Sequence, residues 1–214
     1  MPPWLPLAAD TEAVGLVLLA ADGVVRMGRA GTRRRSVDST RSVADVAGGA
    51  VLGTVSGPAL IGRAFEFGAV ACAAQLPGAG RALLEASVRH ARTRTQFGRP
   101  VGAFQAVKHR LADVAIGLEF ARPLLEAAAL SLGDGAPGDD AATAGRDVSA
   151  AKVACADAAY RAARAALQVH GAIGYTAEHD LSLWLAKVRA LVPAWGSQAE
   201  HRARVLREVT GDLA

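Results

Sequence analysis

Only two cysteines occur in 214 residues, Cys72 and Cys155, and both lie in alanine-rich stretches. Neither belongs to a Cys-x-x-Cys or Cys-x-x-His spacing. That excludes a disulfide-stapled scaffold and a zinc cage, and leaves two small core residues in a reducing compartment. Aromatic residues make up 5% of the chain, too few for a β-sandwich core. Lysine is nearly absent, with 3 Lys against 21 Arg. The basic residues are scattered apart from Arg33, Arg34 and Arg35, so no nucleic-acid stripe accompanies the net charge of +4. The longest apolar run, Ala13 to Ala21, is too short to span a bilayer and ends in the turn pair Asp22-Gly23. The first residues carry neither the basic start nor the small-residue cleavage site of a secretory signal. The expectation is a soluble, cytoplasmic protein without membrane or nucleic-acid partners.

What is abundant is alanine, 49 residues of it, within a chain that is 51% hydrophobic. Such a composition favours closely packed helices. The front of the chain reads differently. Val14, Leu16 and Leu18 begin a short strand, Asp22-Gly23 turns it into Val24 to Met27, and Ser42 to Val46 alternates like another strand. Gly31 to Arg35 reads as a loop. These strands are too few to close a sheet alone. From Pro58 the pattern is helical. One helix is expected from Leu60 to Thr95, kinked near Pro77-Gly78 and Gly80. In the next, Phe104, Val107, Leu111, Val114, Leu118, Ala121, Leu125, Ala128 and Leu132 recur at spacings of three and four, the seam of a helix buried in a bundle. Pro123 lies off that seam. Gly133 to Gly138 is a strong stop. A third helix from Asp140 to Val169 ends at Gly171 to Tyr175, a fourth spans Leu181 to Val192, and a fifth spans Ser197 to Val209. The fold class is mainly α, with a small β-rich remnant over residues 1–56 and a helical bundle over 57–214.

Two segments stand above composition. The first is Arg92-Thr93-Arg94-Thr95-Gln96-Phe97-Gly98-Arg99-Pro100, followed by Phe104-Gln105. The second is Gln168-Val169-His170-Gly171-Ala172-Ile173-Gly174-Tyr175. In order, spacing and helical setting they resemble the C-terminal helical domain of the acyl-CoA dehydrogenase family, which has an Arg-x-x-Phe-Gly turn, a Phe-Gln helix and a Gln-x-x-Gly-Gly-x-Gly-Tyr helix end. Val37-Asp38-Ser39-Thr40-Arg41 also looks like the stretch closing that family's middle β-domain. The resemblance implies FAD as cofactor and acyl-CoA as substrate, with flavin contacts at Arg94, Gln96, Phe97, Gln168, Gly171, Ala172, Ser197 and Gln198. The chemistry suits the residue types. A guanidinium offers a forked donor to pyrophosphate oxygens, Phe97 offers an apolar face, and glycine lets backbone approach a ligand closely.

The family's base, commonly a Glu in a Glu-Gly-Thr segment before the last helix, has no counterpart here. The matching stretch is Trp195-Gly196-Ser197, and an indole cannot accept the proton. The minority position for the base, on the first long helix, falls near Gly68. Glu66 and Glu200 lie nearby in sequence as possible replacements. The resemblance therefore implies a shortened subunit with no catalytic residue of its own, which completes an FAD site for α,β-dehydrogenation of an acyl-CoA thioester. The base would come from a longer acyl-CoA dehydrogenase-type subunit in a hetero-oligomer; a homodimer is the other assembly considered. Two alternatives stand beside it: a flavin-dependent oxygenase or other redox enzyme of the same fold, and a structural dimerisation module with relict flavin motifs.

Overall fold

The structure, a computed structural model, describes residues 7–55, 58–133, 141–176 and 179–211. Contacts divide the chain into two compact units, residues 1–64 and 65–214.

In the first unit four antiparallel strands form a sheet in the order β1-β4-β3-β2: β1 Leu7–Ala9, β2 Leu18–Ala21, β3 Val24–Arg34 and β4 Val43–Thr54. Asp22 and Gly23 join β2 to β3 with φ of +51° and +74°. Two successive left-handed residues match the twist of a two-residue hairpin, so this turn forms as its sequence demands. The expected loop from Gly31 to Arg35 is instead mostly strand. A bulge between Ala30 and Arg33 re-registers β3 so that Arg33 pairs with Ala44 and Arg34 with Val43. Ion pairs at 2.8 Å, Arg33 with Glu12 and Arg34 with Asp45, hold the guanidiniums at the surface. Val14 and Leu16 fall outside β2, and β4 runs well beyond Val46 despite Gly48, Gly49 and Gly53. In the 35–42 connection, buried Asp38 accepts the Thr40 N–H at 2.9 Å and its hydroxyl at 2.7 Å, a local turn made by the side chain itself.

Helix α1, Pro58–Thr93, leads into the bundle and is helical through Pro77. It is followed by a two-stranded hairpin, β5 Thr95–Gln96 and β6 Arg99–Pro100, and then by α2 Gln105–Ser131, α3 Ala141–His170, α4 Leu181–Leu191 and α5 Gln198–Thr210. All nine seam positions of α2 from Phe104 to Leu132 are buried or half-buried. The core joins Cys72, Leu76 and Leu83 of α1, Val114 and Leu118 of α2, a row of alanines with Cys155 on α3, and Leu181 and Val188 of α4. Small residues allow the helices to approach closely. A Cβ on Gly80 would lie 2.7 Å from Leu118 Cδ2 and 3.4 Å from Ala159 Cα. Among the described residues α1 is the one helix long and apolar enough, by length and composition, to cross a membrane; Cys72, Leu76 and Leu83 are instead core positions packed within the bundle. Of the stop from Gly133 to Gly138, residues 134–138 lie outside the described residues, as does the Asp140 start expected for α3. Both cysteines are buried, and burial pushes the Cys155 thiol up to about 11.

Candidate functional site

The first motif forms a tight projecting turn between α1 and α2. Phe97 and Gly98 have φ of +54° and +77°, which closes the β5–β6 hairpin on two left-handed residues. The Arg94 N–H donates to His90 O at 2.9 Å, and Arg94 O accepts the Val101 N–H at 2.8 Å, fixing both ends of the turn. Left-handed backbone is costly for a bulky side chain, yet Phe97 adopts it and is 91% exposed. Its ring meets Phe104 edge-on at 6.2 Å, and the Arg99 guanidinium lies 4.2 Å from the Phe104 centroid. Arg94 and Gln96 are exposed on the same turn.

The second motif closes α3. Gln168 is exposed, His170 is buried, and Gly171 takes φ of +65° with open space where a Cβ would stand. Gly171 and Ala172 are exposed at the start of the 3-10 turn Gly171–Tyr175. The second motif touches the end of α1 just before the first: the rings of His90 on α1 and His170 on α3 lie 4.4 Å apart.

Ser197 and Gln198 are placed elsewhere. Ser197 caps α5 in a reciprocal box: its hydroxyl accepts the Glu200 N–H, and the Ser197 N–H donates to the Glu200 carboxylate at 2.7 Å. Those bonds hold the Glu200 carboxyl below the usual carboxylate range. Gln198 Nε2 donates to Asp157 on α3 at 2.6 Å. Asp157 precedes Gly171 by about four helical turns, roughly 20 Å along α3.

Beside this cap lies the loop that carries Trp195, and its backbone is tied down carbonyl by carbonyl. Lys152, fully buried, donates through Nζ to Leu191 O at 3.2 Å and Val192 O at 2.8 Å. Burial drives its ammonium below the ordinary lysine value. The Cys72 thiol points to Leu191 O at 3.4 Å and Ala194 O at 3.7 Å. His201 Nε2 donates to Trp195 O at 2.8 Å; because a carbonyl only accepts, this nitrogen carries the proton, and Nδ1 faces the Ser149 hydroxyl at 3.1 Å. Trp195 itself has φ of +58° and Gly196 +101°. The indole is directed onto α1, where a Cβ on Gly68 would lie 2.5 Å from two of its ring carbons. Phe65 flanks it at 6.0 Å and stacks on His201 at 6.2 Å.

Glu66 is buried. Its carboxylate pairs with Arg204, whose guanidinium crosses Gly145 of α3. Glu66 Oε2 is buried with no hydrogen-bond partner, and burial raises the carboxyl above its usual value against the opposing pull of Arg204. The sequence reading did not single out Lys152, Ser149 or His201. One signal was present: Lys152 shares a helical face with Val148, Cys155 and Ala159, where a cation is out of place unless it has acceptors.

The helical bundle with its projecting Arg–Gln–Phe–Gly turn and Gln–Gly helix end is the class of domain that the two motifs resemble. The chain belongs to the acyl-CoA dehydrogenase family: residues 56–210 match the family model described as acyl-CoA dehydrogenase, C-terminal domain. Acyl-CoA dehydrogenase IpdE2 of Mycolicibacterium smegmatis is 32% identical over 177 residues, covering 81% of this chain and 51% of its own. Acyl-CoA dehydrogenase FadE27 of Mycobacterium tuberculosis is 30% identical over 205 residues, 95% of this chain and 52% of its own. The chain thus spans about half the length of these curated relatives. Among solved structures, butyryl-CoA dehydrogenase from Megasphaera elsdenii superposes with a TM-score of 0.80 at 20% identity, covering 94% of this chain and 57% of that one. A chain of the ChsE4-ChsE5 complex from Mycobacterium tuberculosis gives 0.76 at 24%, covering 91% and 55%. At these identities the superpositions establish the fold.

Proposed function

We propose that this chain is the flavin-completing subunit of a heteromeric acyl-CoA dehydrogenase. It would contribute FAD-binding residues to α,β-dehydrogenation of an acyl-CoA thioester, while a longer relative supplies the carboxylate base. The observation that carries this reading is the packing of Trp195 on Gly68. The family resemblance assigns the base to one of these two positions, and here one is an indole and the other a glycine covered by that indole. Neither nearby carboxylate is an apt substitute. Glu200 is held as an anion by its cap, which makes it a weak proton acceptor, and Glu66 is enclosed and paired with Arg204.

The turn and the α3 end fit a dinucleotide. Arg94 presents an exposed guanidinium suited to pyrophosphate, Phe97 an apolar ring already extended from the surface, and Gly171 an open left-handed backbone. Gln96, Gln168 and Ala172 lie beside them, and by the same resemblance Ser197 and Gln198 would serve the flavin from the α5 cap. FAD, when bound, supplies the acceptor for the hydride leaving the β-carbon. The ChsE4-ChsE5 neighbour is a complex of two differently named subunits, which supports a heteromeric assembly.

The test is co-expression with a longer acyl-CoA dehydrogenase-type relative taken from the same genome. The expected result is flavin and acyl-CoA oxidation in the complex, with a colourless, inactive chain when purified alone. Near-stoichiometric flavin and acyl-CoA oxidation by the chain alone would overturn the proposal.

A further inference from the structure

Three imidazoles not used in the flavin reading stand in a row where the end of α3 meets the end of α1. His90 lies in the last turn of α1, His170 ends α3, and His179 precedes α4. The His90 and His170 centroids are 4.4 Å apart at 32°; those of His170 and His179 are 5.3 Å apart at 68°. Hydrogen bonds assign two tautomers. His170 Nδ1 lies 2.8 Å from Ala166 O and so carries its proton there, while His179 Nδ1 accepts the Leu181 N–H at 3.1 Å and so carries its proton on Nε2. His170 is thereby anchored to α3 and His179 to the start of α4.

We propose that the His90–His170 ring contact, with His179 packed against it, is a pH-sensitive latch, which fastens the Gly171–Tyr175 turn to the end of α1 when His90 and His170 are neutral and releases it on acidification. Rings at this spacing cannot gain charge without repelling one another. Burial, with the neighbouring imidazoles, holds His90 and His170 below the ordinary value of 6.5, and Arg94 further opposes charge on His90. Ala166 O acts the other way on His170 but does not reverse the direction. Asp180, next to His179, is exposed. No described carboxylate is among the groups shifting His90 or His170.

The sign follows from linkage. The closed form takes up protons less readily than the open one, so closure is fully favoured above the open-state value and weakens as pH falls below about 6.5. For one such imidazole, opening becomes easier by at most about tenfold between pH 7.5 and 5.5, and for two by at most about a hundredfold. Any consequence for the cofactor, through Gly171 and Ala172, rests on the flavin reading above. The test uses no cofactor, so the two fail separately.

Hydrogen exchange of the full chain at pH 7.5 and 5.5, corrected for intrinsic rates, should show protection over residues 171–176 falling, with about 100-fold as the ceiling. The fall should exceed that in α2 and should shrink in a His90→Phe, His179→Gln variant. Imidazole titration of the unaltered chain by NMR, which needs no variant, should place His90 and His170 below 6.5. Midpoints at or above 6.5 would overturn the latch. So would an equal loss in 171–176 and α5 that the variant leaves unchanged, because that result assigns the effect to His201, which burial also depresses.

Discussion

The indole of Trp195 occupies the room that a side chain at position 68 would require. A Cβ placed on Gly68 falls 2.5 Å from Trp195 Cη2 and Cζ3, inside the distance any real pair of carbons tolerates. The two residues are 127 positions apart, yet the identity of one restricts the other.

Gly68→Ala should therefore cost about 1–3 kcal/mol, the usual scale of overpacking, despite the better helix propensity of alanine. In a Trp195→Ala background the same change should be neutral or stabilising by about 0.5–1 kcal/mol. A double-mutant cycle by urea unfolding checks this. Additive effects would show that the indole moves aside freely.

Arg94→Ala should leave the fold intact, since the side chain is exposed, and should weaken flavin retention in the assembled complex by about 1.5–3 kcal/mol. Fluorescence titration of released flavin measures it. Undiminished occupancy would remove Arg94 from the proposed flavin contacts.

Replacing Lys152 with Met should destabilise the bundle by about 2–4 kcal/mol, because Leu191 O and Val192 O lose their donor inside the core. Thermal unfolding tests the size. The loss should also show as increased exchange in residues 191–196.

Acid should weaken the chain through His201. Burial lowers its value in the fold, so its neutral state is favoured above about 6.5 and stability declines as pH falls below that. His201→Gln should flatten this limb by up to about 1.4 kcal/mol per pH unit. Parallel denaturation curves at pH 7.5, 6.5 and 5.5 would decide it; an unchanged slope places the sensitivity elsewhere.

Ser197→Ala should cost about 1 kcal/mol through the lost cap of α5, measurable as a lower urea midpoint. A negligible change would mean that Gln198–Asp157 suffices to hold the helix start.

The α2 seam was readable because three-and-four spacing is a property of one segment, and its nine positions all turned inward. The turn at Asp22-Gly23 was readable for the same local reason. The length of β3 was not, because the arginine run Arg33–Arg35 looks like a solvated loop until Glu12 and Asp45 are brought beside it by the sheet. The motif residues Arg94, Gln96 and Phe97 could be found from sequence, but the bracing of the Trp195 loop could not. Lys152, Cys72 and His201 reach the same short stretch from helices α3, α1 and α5, and no window along the chain contains them together.

That bracing bears on how the side chain at position 195 can be exchanged. The direction in which residue 195 projects is dictated by carbonyl bonds that do not involve its own side chain. A frame of this kind works like a socket: the residue fitted into it can be replaced while the mounting stays in register. A change of side chain at position 195 then leaves the mounting in place and is felt chiefly at position 68, which the indole now covers.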